Sequence, residues 1–301
     1  MKVGILMGGI SSEREVSLSS GNSIMEHINK EKYEVIPVVI DKKEDLLEKV
    51  SGLDFALLAL HGKFGEDGTV QAVLDTLGIP YSGCDSVSSS LCMDKDLTKS
   101  VLKAKNIRTA RWLNVSSVDE IDYEAIEEMG YPVFIKPTNG GSSVATFKVT
   151  KKEDVEHAVV EGLKWDKEVM IEEFIKGDEI TCTVFDNELF TVLAINAKTD
   201  FYDYEQKYSA NGAEHYPIDL EPKIYEEVKK MALDTYKALK CSVYSRIDMI
   251  ITEEGVPYVL EVNTLPGMTA TSLFPQSASE KGINYPDFID MIIEYSLKKI
   301  K

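Results

Sequence analysis

The sequence predicts an α/β domain with a parallel sheet, followed by a small α+β lobe and a larger α+β domain. Three observations support this fold class. Residues 1–92 alternate strand-like and helix-like segments, the order found in parallel sheets with crossover helices. Beyond residue 130, strand-like runs follow one another across short turns, which favours antiparallel hairpins. A chain of 301 residues is long enough to build several hydrophobic cores.

The N-terminal domain, predicted at residues 1–92, has a βαβαβ pattern. Its strands are expected at three short apolar runs: Lys2–Met7, Tyr33–Ile40 and Phe55–Leu60. Apolar residues at helical spacing predict the crossover helices near Glu15–Asn29 and Thr69–Leu77. Open parallel sheets bind ligands beyond the carboxyl ends of their strands, and the loop His61–Gly68 leaves the third strand at that end.

The central lobe is predicted at residues 93–179. A helix is expected first, at about Asp94–Lys105, and Asn106 is expected to end it. Two strands should follow, at Tyr131–Lys136 and Val144–Val149. A second helix should run from the capping box Thr150–Glu153 to about Lys164, before a strand at Val169–Ile175. A glycine loop separates the first two strands, so they are predicted to pair as an antiparallel hairpin.

The C-terminal domain is predicted at residues 180–301. Its elements are expected to be a strand pair that turns at Asp186-Asn187, a polar loop at Thr199–Ala213, an amphipathic helix at about Pro222–Leu239, a second hairpin and a final helix at about Tyr285–Lys299. His215 falls in the loop region, without a further signal of function.

The second hairpin of this domain carries the strongest chemical signal. Its strands, Tyr244–Thr252 and Pro257–Asn263, fold about Glu254-Gly255, which places Asp248 opposite Glu261 and Arg246 opposite Asn263. Two facing carboxylates repel, so a cation is expected between them. Two carboxylates with an amide oxygen suit Mg²⁺ bound together with substrate phosphates. The alternative is a solvent-exposed face that the acids merely solvate.

Charge and composition disfavour several partners. The net charge of −18 and the pI near 4.7 disfavour nucleic acid and anionic membrane, because either would need a basic face on the protein. Four cysteines without Cys-x-x-Cys spacing fit a reduced cytoplasmic protein, and neither a zinc site nor a disulfide framework. No apolar run has the length of a signal sequence or a membrane span.

Loops between the predicted elements supply further candidate groups, each with two interpretations. Pro137–Ser143 is either a flap over phosphates, with Lys136 leading in, or a flexible hairpin tip. Glu13, at the start of a helix, either anchors an ammonium group or interacts favourably with the helix dipole. The tyrosine-rich segment Phe201–Tyr208 is either a lid or ordinary surface.

Seven motifs run in order along the whole chain: Gly8–Ser17, His61–Gly68, Met93–Lys95, Ile135–Ser143, Phe201–Tyr208, Arg246–Asp248 and Glu261–Met268. Together they resemble the D-alanine–D-alanine ligase family of the ATP-grasp superfamily. Two positions depart from the family pattern. Ser245 stands where a glycine is usual, and the loop Asn139–Ala145 lacks an acidic residue and the trailing glycine often found there. Neither departure removes a catalytic group.

The resemblance implies an ATP-grasp architecture and the ATP-dependent joining of two D-alanines through an acyl phosphate, with ADP and phosphate released, for peptidoglycan precursors. D-Alanine and ATP would be the substrates, with two Mg²⁺ or Mn²⁺ ions as cofactors. A monovalent cation is left open. The resemblance further implies a cytoplasmic homodimer that binds neither nucleic acid nor membrane.

The resemblance also implies roles for individual residues. Two Mg²⁺ ions would be held by Asp248, Glu261 and Asn263. The nucleotide would be bound by Lys95, Lys136, Ser143, Glu172, Glu173, Phe174, Ile175, Glu179 and Lys207, with adenine against the strand that ends at Ile175 and the ribose on Glu179. Arg246 and the Gly267 amide would stabilise the tetrahedral oxyanion.

Substrate contacts follow from the same resemblance. Glu13 would bind the ammonium group of the first D-alanine and His61 its carboxylate. Ser272 and the Leu273 amide would bind the carboxylate of the second. Glu13, Ser142 and Tyr208 would form a hydrogen-bonded triad that joins the N-terminal loop, the central lobe and the lid.

Three alternative functions compete with this interpretation. A D-alanine–D-lactate ligase would have a different lid, so Tyr208 favours a dipeptide product. A nicotinamide-dependent dehydrogenase fits the N-terminal pattern but lacks the glycine fingerprint. A non-catalytic binding module would not need a metal hairpin, two lysines and an arginine together.

Overall fold

The computed structural model describes residues 1–196 and 214–299. These residues form one parallel sheet and two antiparallel sheets, which follow one another along the chain. None of the helices in the described ranges combines the length and apolarity needed to span a lipid bilayer. The predicted loop Thr199–Ala213 lies outside the described residues.

The N-terminal sheet is parallel, as predicted, with strand order β2-β1-β3. Its strands are β1 (Lys2–Gly8), β2 (Glu34–Ile40) and β3 (Phe55–Leu58), and the helices around it are α1 (Arg14–His27), α2 (Asp45–Lys49) and α3 (Thr69–Leu77). Helix α2 was not predicted, because five residues are too few to show a helical period. The central strand β1 is buried from Val3 to Gly8, so the sheet is held by a continuous apolar layer.

Two helices lead from this sheet to the next one: α4 (Ser86–Met93) and α5 (Lys95–Ala104). Each begins with an aspartate cap, since the Ser88 amide donates to Asp85 and the Leu97 amide to Asp94, both at 2.9 Å. Asn106 ends α5 in the left-handed conformation, which confirms the predicted stop.

The central sheet is antiparallel, with order β4-β7-β5-β6. It contains β4 (Trp112–Val115), β5 (Val133–Pro137), β6 (Phe147–Val149) and β7 (Val169–Glu173), with helices α6 (Tyr123–Met129) and α7 (Val155–Gly162) beside it. The predicted β5–β6 hairpin is confirmed. The capping box is wrong: Lys151 precedes a 3-10 turn without any side-chain cap, and α7 begins only at Val155. Because Val155 and Val159 are fully buried, packing sets this helix instead.

The C-terminal sheet is also antiparallel, with order β10-β9-β8-β11-β12. Its strands are β8 (Asp178–Phe185), β9 (Glu188–Asn196), β10 (Glu214–Pro217), β11 (Tyr244–Ile251) and β12 (Pro257–Asn263), and its helices are α8 (Pro222–Ala238), α9 (Leu273–Glu280) and α10 (Tyr285–Lys299). The predicted turn at Asp186-Asn187 is confirmed, and both residues have positive φ. His215 lies in β10, so its predicted loop position is wrong.

The β11–β12 hairpin brings the predicted residue pairs together through a bulge. Near the turn, Met249 faces Val259, whereas one step later Asp248 faces Glu261. Leu260 is therefore an extra residue in β12. Without this bulge Asp248 would face Leu260, so the bulge completes the predicted pairing of Asp248 with Glu261 and of Arg246 with Asn263.

Candidate active site

One cavity lies between the central and C-terminal sheets and is lined by most of the residues predicted to bind nucleotide or metal: Lys95, Lys136, Ser143, Glu172, Glu173, Phe174, Ile175, Glu179, Asp248 and Glu261. The cavity wall also includes the loop after β5, at Gly140 and Gly141. Residues that are far apart in sequence thus converge on one space, because the two sheets face each other across it.

Asp248 is the best-connected acidic residue of the cavity. Its side chain is buried and accepts hydrogen bonds from Thr181 at 2.6 Å and from Asn263 at 3.0 Å. Arg246, two residues away on the same face, grips both carboxylate oxygens at 3.0 and 2.9 Å. This paired geometry places the guanidinium group directly against the Asp248 carboxylate beside Glu261 and makes the rim of the cavity strongly polar.

The residues at this end fit a divalent cation on the chemistry of their donors. Asp248 and Glu261 are directly opposed in the hairpin, and both line the cavity. Asn263 contacts Asp248, so its amide is within the same group. Across the described ranges, no three His, Cys, Asp or Glu side chains are grouped to hold a metal by themselves. Two carboxylates and an amide agree with the Mg²⁺ pattern, in which phosphates complete the coordination.

A buried cluster of charges lies on the opposite side of the cavity. Glu172 is 3% exposed and contacts two ammonium groups, Lys136 and Lys99, each at 2.6 Å. Burial raises the pKa of this carboxyl, but the two lysines outweigh it and lower the pKa to about 2. Glu172 is therefore a fixed anion that holds Lys136 at the cavity wall.

The loop from Thr138 to Ala145 closes another side of the cavity. Lys95, at the start of α5, donates a hydrogen bond from its ammonium group to the Gly140 carbonyl. Ser142, Ser143 and Ala145 all have positive φ, between 51° and 57°. Residues with a Cβ adopt this region rarely. Ala145 stands where the family pattern often has glycine, so the departure seen in the sequence coincides with a strained backbone position.

Glu13 connects the N-terminal domain to that loop. Its carboxylate is 7% exposed and accepts a hydrogen bond from the Ser142 hydroxyl, as predicted. Glycines make room for it: a Cβ on Gly62 or on Gly141 would approach the carboxylate within 3.0 Å, at 2.6 and 2.9 Å. The third predicted member of the triad, Tyr208, and the predicted phosphate ligand Lys207 lie outside the described residues.

His61 is buried and joins two domains through a serine. Its Nε2 lies 3.0 Å from the Ser20 hydroxyl, which also accepts a hydrogen bond from the Met268 amide at 3.2 Å. The other ring nitrogen faces Glu66 at 3.6 Å. The Met268 carbonyl accepts a hydrogen bond from Tyr285. The backbone N–H and C=O of Met268 are therefore both hydrogen-bonded, which fixes the chain next to Gly267.

The predicted carboxylate site at Ser272 is assembled from a tight local network. The Ser272 hydroxyl accepts a hydrogen bond from the Thr269 amide at 3.1 Å and lies 2.7 Å from the Thr269 hydroxyl. A Cβ on Gly267 would meet the Ser272 hydroxyl at 2.9 Å, so only glycine allows this close approach. The amide of Leu273 opens α9, where the helix dipole favours an anion.

The remaining nucleotide candidates form the apolar wall and its edge. The rings of Phe134 and Phe174 are 5.8 Å apart, and the ammonium group of Lys148 lies 5.0 Å from Phe174. The Glu173 carboxylate is bound by Arg111, at 2.7 and 3.0 Å, which lowers its pKa. Glu173 can thus present its backbone to a ligand, while its side chain serves the structure.

Four residues of the site were not identified from the sequence: Lys99, Ser20, Thr181 and Tyr285. Lys99 follows Lys95 by one helical turn, so the spacing places both lysines on one face of α5. This spacing alone does not predict burial, because lysines on helices are normally solvated. Thr181 reaches Asp248 only because β8 pairs with β11, and a single sequence does not show that pairing. The Ser20 and Tyr285 contacts depend on domain packing.

Comparison with known proteins identifies the family of this chain. The family model described as D-ala D-ala ligase C-terminus matches residues 97–294, and the one described as D-ala D-ala ligase N-terminus matches residues 2–51 and 43–84. D-alanine–D-alanine ligase B of Clostridium perfringens is 72% identical over 302 residues, which covers 100% of both chains.

Solved structures give the same result. The D-alanine–D-alanine ligase from Bacillus anthracis complexed with ATP is 43% identical, with a TM-score of 0.90 over 99% of this chain and 98% of that one. The VanG D-Ala:D-Ser ligase from Enterococcus faecalis is 31% identical, with a TM-score of 0.84 over 98% and 99%. These matches confirm the predicted ATP-grasp architecture. The chain belongs to the D-alanine–D-alanine ligase family.

Proposed function

We propose that this chain joins two D-alanines into D-alanyl-D-alanine, with ATP converted to ADP and phosphate. The supporting observation is a cavity that holds lysines on one side and the paired carboxylates Asp248 and Glu261 on the other. A carboxylate is not attacked directly by an amine, because oxide is too poor a leaving group. Phosphorylation by ATP gives an acyl phosphate, and phosphate can leave.

In the first step, a carboxylate oxygen of one D-alanine attacks the terminal phosphorus of ATP and ADP departs. Lys95 and Lys136 line the cavity and would bind the phosphates, with Lys136 oriented by the fixed anion Glu172. Glu179 and the wall around Phe174 would receive the ribose and the adenine. Bound at Asp248, Glu261 and Asn263, Mg²⁺ or Mn²⁺ would neutralise the phosphate oxygens during transfer.

In the second step, the amine of the other D-alanine attacks the carbonyl carbon, and phosphate leaves the tetrahedral intermediate. Arg246 and the Gly267 amide would donate to the oxyanion. The chain around Gly267 is suited to this role because Ser20 and Tyr285 hold the backbone N–H and C=O of the adjacent Met268. Rigid donors need no reorganisation when charge develops.

The two substrates would be oriented by two further groups of residues. Glu13, buried and bound to Ser142, would take the ammonium group of the first D-alanine, and His61 would take its carboxylate. Ser272 and the amide of Leu273 would take the carboxylate of the second, at the start of α9.

We also propose that the protein works in the cytoplasm as a homodimer and supplies peptidoglycan precursors. The four cysteines are buried free thiols, which fits a reducing compartment. The proposed domains are residues 1–92, 93–179 and 180–301, and each of the three sheets falls within one of them apart from the first two residues of β8.

Measuring ADP release and product formation with a panel of acceptors tests the function. We expect turnover with D-alanine, and little with L-alanine, D-serine or D-lactate in the acceptor position. Formation of a depsipeptide or of D-alanyl-D-serine at a comparable rate would contradict the proposed substrate. The absence of ADP release with any D-amino acid would contradict the proposed reaction.

A further inference from the structure

Lys99 is a buried charge for which the reaction as described has no use. Its side chain is 1% exposed, and its ammonium group lies 2.6 Å from Glu172 Oε1. The other carboxylate oxygen, Oε2, is 2.6 Å from Lys136, whose side chain is 15% exposed. Glu172 therefore lies between two ammonium groups, one sealed inside the protein and one at the cavity.

Lys99 is also immobilised on its other sides. It donates to the Thr109 hydroxyl at 2.7 Å and to the Ala110 carbonyl at 3.1 Å. Thr109 in turn donates to the Val259 carbonyl in β12 at 2.8 Å. Together with the ion pair to Glu172, these two hydrogen bonds anchor Lys99 to the central sheet and, through Thr109, to the β11–β12 hairpin.

The two lysines differ in what each can do. Lys136 lines the cavity and can reach a nucleotide, whereas Lys99 cannot. When Lys136 turns to a phosphate it gives up part of its contact with Glu172. A buried carboxylate without a cationic partner is strongly unfavourable, which would hold Lys136 back. A second, fixed cation removes this conflict.

We propose that Lys99 is a positioning residue for ATP binding: it fixes and neutralises Glu172 from behind, so that Lys136 is released to the phosphates. This inference rests on the proposed ATP site and adds a residue to it. Burial lowers the pKa of Lys99, and the attraction of Glu172 opposes that effect.

The test is the affinity for ATP with Mg²⁺, measured by calorimetry without D-alanine, together with steady-state kinetics. Lys99→Met should weaken ATP binding and raise KM for ATP by about tenfold, while kcat at saturating ATP stays within about twofold. Lys103→Met is the matched control. Lys103 lies one turn further along α5, is exposed and faces the Trp112 ring at 5.7 Å, so ATP affinity should be unchanged.

A second comparison separates positioning from mere structural support, and it remains usable if Lys99→Met folds poorly. In a Glu172→Gln background there is no buried anion to neutralise, so adding Lys99→Met should change ATP affinity by less than about twofold. An equal loss of affinity in both backgrounds would overturn the proposal. So would wild-type affinity in a folded Lys99→Met protein. Failure of the unmodified protein to bind ATP would instead contradict the proposed function.

Discussion

At the scale of single residues, the site depends on how buried charges are partnered. Asp248 has three donors around it, and Arg246 supplies two of the hydrogen bonds from one planar group. Glu261 adds a second carboxylate directly opposite. In the proposed site, the balance between these charges would set both the affinity for a divalent cation and the field that acts on the reacting phosphoryl group.

Replacing Glu261 tests the metal assignment. Glu261→Gln keeps the shape of the side chain but removes its charge, so turnover should fall by orders of magnitude while the fold persists. Glu253→Gln is the control, because Glu253 lies on the turn of the same hairpin, 71% exposed and paired with Lys176. Near-normal kcat of Glu261→Gln at saturating Mg²⁺ would show that Glu261 is not a metal ligand.

Replacing Arg246 tests the oxyanion role. Arg246→Ala should lower kcat by about 10²–10³-fold, the effect of losing one oxyanion donor, with a much smaller effect on ATP affinity. Arg246→Lys keeps the charge without the bidentate geometry, so its kcat should lie between those of Arg246→Ala and the unmodified protein. Kinetics at varied ATP decide the matter: a defect chiefly in KM for ATP would assign Arg246 to nucleotide positioning.

At the scale of elements, the bulge in β12 determines what the hairpin presents to the cavity. The extra residue Leu260 and its neighbour Glu261 both line the cavity, although adjacent residues of a regular strand point to opposite faces. One irregularity thus gives the wall an apolar side chain beside the proposed metal ligand Glu261. The regular part of the strand could not do both.

Shortening Leu260 tests the apolar half of this arrangement. Leu260→Ala removes apolar contact area from the cavity and should weaken ATP binding by about five- to tenfold. Turnover at saturating ATP should change little, because Asp248 and Glu261 keep their register. Calorimetry with ATP and the kinetic constants would check both parts. An unchanged ATP affinity would show that Leu260 does not contact the nucleotide.

Long periodic elements could be predicted from the sequence, and local irregularities could not. The ranges of α3 and α10 agree with the predicted ones, because both have continuous amphipathic patterns. The bulge at Leu260 leaves no such pattern, since one extra residue is indistinguishable from a longer turn. The true register near that turn differs by one from the predicted one, and the bulge compensates for the difference at Asp248.

At the scale of the whole molecule, the proposed site takes groups from all three sheets and their loops. Glu13 and His61 come from the N-terminal domain, Lys136 from the central sheet and Asp248 from the C-terminal one. The Ser20 hydroxyl connects two of these parts, since it contacts both His61 and the Met268 amide. The active site is therefore complete only in the packed protein.

Removing that hydroxyl tests how much the connection contributes. Ser20→Ala should raise KM for D-alanine and lower kcat, each by roughly three- to tenfold, because one lost hydrogen bond of this kind is worth about 1 kcal/mol. ATP affinity should be unchanged. Ser19→Ala, on the exposed side of α1, is the control. Equal kinetics of the two variants would show that His61 and Gly267 are positioned without Ser20.

The sequence predicted most of the side chains that line the cavity but not how they are supported. Glu13 and Ser142 are bound to each other as predicted, since both lie in motifs of the resembling family. The roles of Lys99 and Thr181 could not be predicted, because their contacts arise from tertiary packing. Supporting contacts of this kind follow from the packing of sheets and helices, for which one sequence carries no direct signal.

The fate of the carboxylate oxygen tests the central claim most directly. When D-alanine labelled with oxygen-18 in its carboxyl group is ligated, an acyl phosphate requires that one labelled oxygen per dipeptide leave with the phosphate. Mass spectrometry of the inorganic phosphate should therefore show a single oxygen-18 atom in each molecule. Phosphate without label alongside labelled dipeptide would contradict the proposed phosphoryl transfer to the D-alanine carboxylate.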